Sequence, residues 1–313
     1  MTLALAFDIG LALLALAVAG WAVFAREAFA AAVGFVAYGL LVALVWVRLD
    51  SIDVALTEAA IGGGLSGVLL LGAAARLRAS DASAERPGTV IRLVAAVLSA
   101  VVAAALAVAV LLLPEPAPTL APAAAENAAA TGLGNPVTNV LMAFRAMDTM
   151  LEKVVLLLAL AGVWSLAPDR LWGGRPGPRH QANLHGVLAF LAQLLPPIGI
   201  VVGIYIFWVG ANHPGGAFQG GTILAAMWLL VIMAGLADAP PISGRWLRLA
   251  LIAGPAAFLI VGLGGLWLGD AFLAYPMAYA KPLILAIEFA MTLTIAVTLG
   301  LLLAGPPERS AGP

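Results

Sequence analysis

Long apolar runs separated by short polar breaks follow one another along the whole chain. Each run contains about 20 residues, the length of an α-helix that crosses the hydrocarbon core of a bilayer. The pattern predicts an all-α, polytopic membrane protein with about nine transmembrane helices. These helices are expected at Thr2–Ala25, Ala28–Val47, Val54–Ala75, Val90–Leu113, Leu151–Leu166, Leu184–Val209, Phe218–Leu236, Leu247–Leu266 and Pro282–Leu303.

Polar breaks divide these helices into groups of about three, two and four. Arg76–Arg92 is charged and ends the third helix, and Pro168–Gln181, rich in Pro, Gly and Arg, ends the fifth. Pro114–Gly134 is rich in Ala and Pro and has no Lys or Arg, which predicts a flexible loop on one face. The expected membrane modules are 1–78, 88–167 and 182–305.

Composition supports the membrane assignment and excludes several kinds of site. The chain is 63% hydrophobic and 10% charged, and its net charge of −1 argues against nucleic acid as a partner. It has no cysteine, which excludes disulfides, thiolate nucleophiles and cysteine-ligated iron–sulfur or zinc sites. Because no phosphate loop, dinucleotide fingerprint or zinc-binding His pair is present, we expect no cofactor and no metal beyond transient Na⁺ at carboxylates.

The basic residues predict an orientation, because Lys and Arg accumulate in cytoplasmic loops. With the C-terminus in the cytoplasm and about nine alternating helices, the outer side carries Arg48, Arg145, Lys153 and Lys281. We therefore predict a multi-pass protein of the cell inner membrane with its N-terminus outside. The other basic residues then fall on the cytoplasmic side: Arg26, Arg76, Arg78, Arg86, Arg92, Arg170, Arg175, Arg179, Arg245, Arg248 and Arg309.

A glycine-rich segment, Gly210-Ala-Asn-His-Pro-Gly-Gly-Ala-Phe-Gln-Gly-Gly221, separates two strongly apolar runs. Unpaired backbone groups are unfavourable in lipid, so such a segment must lie at an interface, inside protein or along a water-filled path. We interpret it as the outer turn between the sixth and seventh helices, where Pro214 and the glycines allow close packing. His213 is a secondary candidate for proton transfer, with a hydrogen bond inside the turn as the simpler interpretation.

Ionisable side chains inside apolar runs are the main functional candidates, because a membrane tolerates them chiefly when they are paired or functional. Asp53 and Glu58 open the third helix. Asp53 suits the helix N-terminus, either as a cap or as a charge matched to the helix dipole, whereas Glu58 lies roughly 7–8 Å deeper and is a candidate proton or cation site. The alternative is an interfacial Glu on a packing helix, since Gly63 and Gly67 form a small-xxx-small pair beside it.

A second cluster, Arg145, Asp148, Glu152 and Lys153, surrounds the start of the fifth helix. The first three residues are spaced i, i+3 and i+7, which predicts one shared helical face. Two interpretations stay open. The cluster is either a structural set of ion pairs at the membrane surface, or a site where a cation or proton meets carboxylates beside compensating positive charge.

The last predicted helix carries Lys281 and Glu288, which share a face about 10 Å apart along the axis. Lys281 is placed to snorkel to the surface, but Glu288 lies too deep to do so. Glu288 is therefore a candidate functional or inter-subunit group, the alternative being a satisfied structural carboxylate. Lys281 itself and His185, which opens a predicted helix near the cytoplasmic side, are secondary candidates.

Three segments resemble parts of one family of membrane proteins. Residues 194–221, which end in the glycine-rich segment, resemble the B subunit of Mrp-type multisubunit sodium/proton antiporters, the MnhB domain. Asp53-Val-Ala-Leu-Thr-Glu58 and the glycines that follow resemble the MbhD-like domain. Asn139-Val-Leu-Met-Ala-Phe-Arg-Ala-Met-Asp-Thr-Met-Leu-Glu152 is similar to the MbhE-like domain. The whole chain thus resembles an MnhB domain fused behind MbhD-like and MbhE-like domains.

The chain departs from the family pattern at several positions. Ala211 stands where the family usually has His, and Ala217 replaces the last glycine of Pro-Gly-Gly-Gly. Ile52 stands where Pro commonly precedes the Asp, and Leu151 where Gly commonly precedes the Glu. These changes bear on the details of an ion route more than on the family.

The resemblance implies a transporter subunit, not an enzyme. It implies partners among other Mrp-type subunits, including large antiporter-like subunits and small membrane subunits, together with the lipid bilayer, sodium and protons. We hypothesise that carboxylates at membrane depth contribute to sodium or proton passage and that Asp53, Arg145 and Lys153 tune them. The carboxylates concerned are Glu58, Asp148, Glu152 and Glu288.

Three alternatives stay open at this point. The host complex could instead be a hydrogenase-like, complex I-related or inorganic-carbon-uptake assembly, in which ion flow couples to another reaction. The charges could serve only to bind neighbouring subunits, which would make the chain a structural scaffold. An independent secondary transporter is the third alternative, but the helix grouping reveals no inverted repeat of the kind common in such carriers.

Overall fold

The computed structural model describes residues 3–79, 88–116, 118–269 and 271–310. Regular structure in these ranges is almost entirely helical, which confirms the predicted fold class. The helices are α1 (Leu3–Phe24), α2 (Ala28–Arg48), α3 (Ile52–Glu58), α4 (Ser66–Ala79), α5 (Thr89–Leu111), α6 (Ala121–Asn127), α7 (Pro136–Asn139), α8 (Ala146–Trp164), α9 (Val187–Val209), α10 (Ala217–Met233), α11 (Arg245–Leu268) and α12 (Ala280–Ala304).

Short irregular elements complete the fold. There are two π-helical segments. The first, Ala59–Leu65, joins α3 to α4, and the second, Val140–Phe144, precedes α8. Single 3₁₀ turns occur at Ala128–Thr131, Asp169–Leu171 and Met277–Tyr279. The strands β1 (Arg175–Pro176) and β2 (Pro307–Arg309) form a small antiparallel pair.

The described helices reproduce the predicted spans. Among the described residues, 7 helical stretches are long enough and apolar enough to cross a membrane. They are Leu3–Phe24, Ala28–Arg48, Ile52–Leu77, Thr89–Leu111, Val187–Val209, Arg245–Leu268 and Met277–Ala304. The 19 residues of α8 and the 17 residues of α10 supply the two remaining predicted spans. The chain is therefore a polytopic membrane protein.

The core of the C-terminal half is built around α12, the most buried of the spanning helices described. It packs against α8, α9, α10 and α11. A Cβ atom on Gly221 of α10 would lie 2.8 Å from Cγ2 of the buried Ile295, so the glycine is what allows α10 to approach α12 closely. By contrast, α5 has no buried residue.

The N-terminal half packs around α2, which contacts α1, α3, the first π-helical segment and α4. A Cβ atom on Gly39 would lie 2.8 Å from the backbone nitrogen of Gly63, so α2 and the π-helical segment touch through glycines. This confirms the close packing predicted from the small residues of the third span. A salt bridge of 2.7 Å between Arg48 Nε and Asp8 Oδ1 links the end of α2 to α1.

One end of the molecule is held by a clasp, which we define as the β1–β2 pair with the Asp238–Arg309 ion pair. Arg309 Nη1 donates to Asp238 Oδ1 at 2.8 Å, and this hydrogen bond lowers the pKa of Asp238. Arg76 at the end of α4 lies 4.0 Å from Glu308 of β2. The ends of α4, α10 and α12 thus meet on one side, as the predicted alternation requires.

The opposite end collects the α2–α3, α9–α10 and α11–α12 connections. Lys281 Nζ donates to Asn212 Oδ1 at 3.0 Å, which joins the start of α12 to the turn after α9. Which end faces the cytoplasm stays a prediction. Thr2, the Arg78 side chain and Arg86, which entered the span and orientation predictions, lie outside the described residues.

The region predicted as a flexible loop, Pro114–Gly134, contains α6 and a 3₁₀ turn. Thr131 is buried, and its hydroxyl lies within hydrogen-bonding distance of the Ala128 carbonyl and of Asn139 Oδ1. The region is therefore not loop throughout, as the sequence predicted, but contains a short helix. Its alanines favour helix, and the buried hydrogen bonds of Thr131 fix the end that approaches α7.

Candidate functional site

The glycine-rich turn between α9 and α10 folds tightly back on α9. Gly215 and Gly216 have φ angles of 144° and 137°, conformations that side-chain-bearing residues rarely adopt. The Gly216 N–H donates to the carbonyl of Ile206 at 3.0 Å. A Cβ on Gly210 would collide with the backbone of Gly216, so these glycines make the turn possible.

Asp53 at the start of α3 holds this turn. Its Oδ1 accepts the backbone N–H of Gly215 at 2.8 Å, and its Oδ2 accepts Asn135 Nδ2 at 3.3 Å. Asn135 Nδ2 also donates to the carbonyl of His213 at 3.0 Å. Asp53 does not cap the helix, since the α3 N-cap is Ser51, which makes no side-chain cap bond, but it lies in the first turn of α3, where its charge matches the helix N-terminus. Asp53 instead reaches across to the α9–α10 turn, because that turn offers it a buried N–H.

Further polar side chains reinforce the same junction. Thr138 Oγ1 donates to the carbonyl of Gly210 at 2.7 Å. Gln219 Nε2 donates to Thr57 Oγ1 at 3.1 Å, which joins α10 to α3. Segments from the N-terminal, middle and C-terminal thirds of the chain therefore meet at one buried polar junction.

A cavity of about 380 Å³ lies directly beneath this junction. It is bounded by α3, the second π-helical segment, α8, α10 and α12. Its wall includes eight polar or ionisable side chains: Asp53, Thr57, Thr138, Thr149, Glu152, Lys153, Gln219 and Glu288. With three carboxyl groups against one ammonium group, the fully ionised cavity carries net negative charge and suits a cation.

Lys153 and Glu152 form the ion pair of this cavity. Lys153 Nζ lies 2.6 Å from Glu152 Oε1, and the exposed fractions of the side chains are 2% and 55%. The Lys153 ammonium also lies 5.3 Å from the centre of the Phe218 ring. Because a buried ammonium group without a partner is strongly destabilising, Glu152 is what allows Lys153 to remain charged at this position.

Glu288 lies on the opposite wall, on the buried helix α12. Its residue is 3% exposed, and its carboxylate accepts the backbone N–H of Ala217. Glu288 Oε2 is buried and has no hydrogen-bond partner among the described residues. Since buried polar atoms are nearly always satisfied, this oxygen marks a place for a proton, a water molecule or a cation.

The structure separates Arg145 and Asp148 from Glu152 and Lys153. Arg145 Nη2 and Asp148 Oδ2 form an exposed ion pair of 2.5 Å, in a shallow depression beside Phe272. Arg145 is the N-cap of α8, with a non-helical φ of −128°, but it still pairs with Asp148 at the predicted spacing i, i+3. The cluster is therefore divided between two environments.

Glu58 also lies outside the cavity wall. It is half-buried, and its Oε1 sits over Gly62 in the middle of the first π-helical segment. Segments of this kind occur frequently at functional sites. A side chain at position 62 would displace the Glu58 carboxylate from this place.

The secondary candidates occupy the two ends of the molecule. His213 is exposed, and its carbonyl rather than its ring joins the junction. Lys281 is held by Asn212, away from Glu288. His185 is exposed before the start of α9, where its backbone N–H donates to Asn183 Oδ1 at 3.3 Å.

Sequence reasoning missed three neutral residues that organise the junction: Asn135, Thr138 and Gln219. Gln219 lies inside the glycine-rich segment, and Asn135 and Thr138 precede the fifth predicted span, so each is a neutral polar residue at the edge of an apolar run. Neutral polar residues are common at span ends, so this signal alone did not distinguish them. Within the described ranges, no group of three or more His, Asp or Glu is arranged to hold a metal ion.

Two family models match the chain. Residues 187–305 match the domain related to the MnhB subunit of Na⁺/H⁺ antiporters, and residues 13–79 match the MbhD domain of MBH. An uncharacterised protein of Methanocaldococcus jannaschii is 27% identical over 154 residues, which cover 44% of this chain and 59% of the relative. The chain therefore spans little more than half the length of this curated relative.

Two solved structures share the fold. A chain of the Mrp complex from Dietzia sp. DQ12-45-1b superposes with a TM-score of 0.75 and 23% identity, over 97% of this chain and 35% of that one. The archaeal membrane-bound sulfane sulfur reductase gives a TM-score of 0.57 and 24% identity, over 68% of this chain and 97% of the matched chain. The MbhE-like assignment of residues 88–167 stays a prediction. The chain therefore contains a domain related to the MnhB subunit of Na⁺/H⁺ antiporters and, ahead of it, an MbhD domain.

Proposed function

We propose that this chain is a membrane subunit of an Mrp-type cation/proton antiporter or of a related complex, and that the cavity beneath the α9–α10 turn forms part of its sodium or proton path. The observation that carries the proposal is the unpartnered Glu288 oxygen in a cavity that also holds a buried ion pair. Ionisable groups at membrane depth, facing a cavity inside the protein, are the usual components of such paths.

The charges in the cavity supply a mechanism. A cation or proton that reaches Glu288 neutralises one carboxylate and reduces the attraction that this wall exerts on Lys153. Lys153 then pairs more completely with Glu152. When Glu288 releases its ion, the negative charge returns and draws Lys153 back. The ammonium group thus competes with the transported ion and prevents both carboxylates from holding it permanently.

Glu152 is the proposed exit from this chain. It lies about 9 Å along α8 from the helix start, and its side chain is 55% exposed. An exposed carboxylate at such a depth needs water or a neighbouring subunit. We therefore place other Mrp-type subunits, including a large antiporter-like subunit, against this side, in the cell inner membrane with the N-terminus outside.

The remaining sequence candidates take secondary roles in this proposal. Asp53 shapes the cavity through its hydrogen bonds to the turn. Glu58, half-buried beside the first π-helical segment, is placed to meet an ion or a partner outside the cavity. Arg145 and Asp148 stabilise the start of α8 as an exposed pair.

The test uses Glu288→Gln in the assembled complex, with the exposed α6 residue Glu126→Gln as a matched control. Sodium-driven proton flux is measured in membrane vesicles, and co-purification of the other subunits measures assembly. We expect Glu288→Gln to assemble normally and to lose flux, while Glu126→Gln behaves as wild type. Normal flux in Glu288→Gln would contradict the path, and loss of assembly without any flux defect per complex would favour a scaffold.

A further inference from the structure

A second pocket lies on the other side of the α9–α10 turn from the cavity. This pocket, which we call the vestibule, has a volume of about 290 Å³ and opens at the end of the molecule where the α2–α3 and α9–α10 connections meet. Its wall includes the exposed residues Asp50, Pro136, Asn212 and His213. It is therefore accessible from the aqueous side at this end.

The vestibule and the cavity share a boundary. Asp53, Val54 and Val137 line both spaces. The hydrogen bonds of Asp53 to Gly215 and to Asn135 lie at this boundary between the two spaces. We call these three residues, Asp53, Asn135 and Gly215, the partition.

The partition is held by two hydrogen bonds of Asp53, and water or an ion can replace either donor. The hydrogen bond from Asn135 Nδ2 to Asp53 Oδ2 is 3.3 Å long, which is weak for a hydrogen bond of this kind. The same nitrogen also donates to the carbonyl of His213. Gly215 brings no side chain to the boundary. Breaking one hydrogen bond to a charged group costs about 1.5–3 kcal/mol net, so the partition can open at modest cost without disturbing the packing of the helices.

We propose that Asp53 is a positioning residue that closes the passage between the vestibule and the cavity, and that a monovalent cation opens it by competing with the Gly215 N–H for the Asp53 carboxylate. The proposal rests on the proposed function, since it supplies the access route to Glu288. Asp50 adds a second carboxylate at the mouth of the vestibule, which raises the local concentration of cations.

Cysteine accessibility tests this proposal, because the chain contains no cysteine. Pro136→Cys reports on the vestibule and Thr57→Cys on the cavity, in the assembled complex in sealed vesicles. The probe is a small, membrane-impermeant, cationic thiosulfonate added from the side on which Pro136→Cys reacts. We expect Thr57→Cys to react about tenfold more slowly than Pro136→Cys, a factor that one hydrogen bond to a charged group can account for.

The decisive comparison is between Thr57→Cys labelling rates with and without the Asn135 hydrogen bonds of the partition. Asn135→Ala in the Thr57→Cys background should raise the reaction rate about tenfold by the same argument, whereas Asn127→Ala, at an exposed asparagine of α6, should leave it unchanged. Asn135→Asp, which keeps the bond to the Val137 N–H and repels Asp53, should open the passage if Asn135→Ala does not assemble. An unchanged Thr57→Cys rate in the assembled Asn135 variant would overturn the proposal, as would equal rates at the two cysteines in the parent.

This measurement is independent of transport. Glu288→Gln should leave the ratio of the two labelling rates unchanged, because Glu288 is not part of the partition. If the labelling pattern holds while Glu288→Gln transports normally, the partition stands and the proposed ion path fails. If transport depends on Glu288 but Asn135→Ala does not alter labelling, the path stands and the partition fails.

Discussion

Two ion pairs lie on or beside the first turns of α8, and their basic members have opposite surroundings. Arg145 is 70% exposed, whereas Lys153 is 2% exposed and faces the cavity; the partners Asp148 and Glu152 are 53% and 55% exposed. An exposed pair contributes at most about 1 kcal/mol to stability, but removing one partner of a buried charge costs roughly 3–5 kcal/mol. The comparison teaches that the same residue types, a few positions apart, serve different purposes according to what packs over them.

The largest contrast is expected from removing the buried charge itself. Lys153→Met replaces the buried ammonium with an apolar group of similar volume. The partner that remains, Glu152, is 55% exposed, so the substitution leaves no buried charge on α8 without compensation. We expect the variant complex to assemble, to keep its thermal stability and to lose ion flux by at least about tenfold. Flux and thermal denaturation measured on the same preparation would check this, and normal flux would show that the buried pair is only structural.

A second large effect is expected from isolating Lys153. Glu152→Gln removes its charge partner, so we expect a lower denaturation temperature and reduced flux. In the Lys153→Met background the same substitution should cause little further loss of stability, because no buried charge remains to be compensated. A double-mutant cycle on denaturation temperature measures this coupling. Additive effects would mean that Glu152 does not stabilise Lys153.

The exposed pair should respond weakly to the equivalent change. Asp148→Asn is expected to alter stability by no more than about 1 kcal/mol, and to leave flux close to wild type. The measurement is the same as for Glu152→Gln, which makes the two substitutions directly comparable. If Asp148→Asn abolished flux, the hypothesis that Asp148 conducts would be restored and the division of the cluster would fail.

The smallest effect is expected at the clasp, at the far end of the molecule. Arg309 lowers the pKa of Asp238, so the carboxylate stays charged at acidities that protonate a free aspartate. The pair therefore stabilises the clasp at neutral pH, and this contribution is lost as the pH falls through the lowered pKa. Asp238→Asn should make the C-terminal segment slightly more protease-sensitive at neutral pH and remove the additional sensitivity caused by acid. Equal acid responses in both proteins would exclude this pair as the cause.

The arrangement of helices followed from the sequence because apolar length and basic breaks determine it. Each predicted span has a helical counterpart, and small residues such as Gly63 marked a close contact correctly. The site was only partly predictable. Glu152, Lys153 and Glu288 stood out as ionisable groups in apolar sequence, and all three line the cavity.

The rest depended on contacts between distant parts of the chain. Asp53 looks like a helix cap, and only the fold brings it to Gly215, 162 positions away. Arg145 fits a helical spacing, but the π-helical segment before α8 leaves it outside the helix. Gln219 and Asn135 are neutral, so periodicity and charge gave no reason to select them. Local patterns identify charged groups at depth, but they do not determine which groups share a cavity.

In the proposed ion path, the Glu288 carboxyl changes its charge or its bound ion when the transported ions change. Infrared difference spectra of the purified complex, recorded on exchanging sodium or changing pH, detect carboxyl groups that do so. We predict a carboxyl difference band in wild type and Glu126→Gln that is absent from Glu288→Gln. The same carboxyl bands in Glu288→Gln as in wild type would contradict the account.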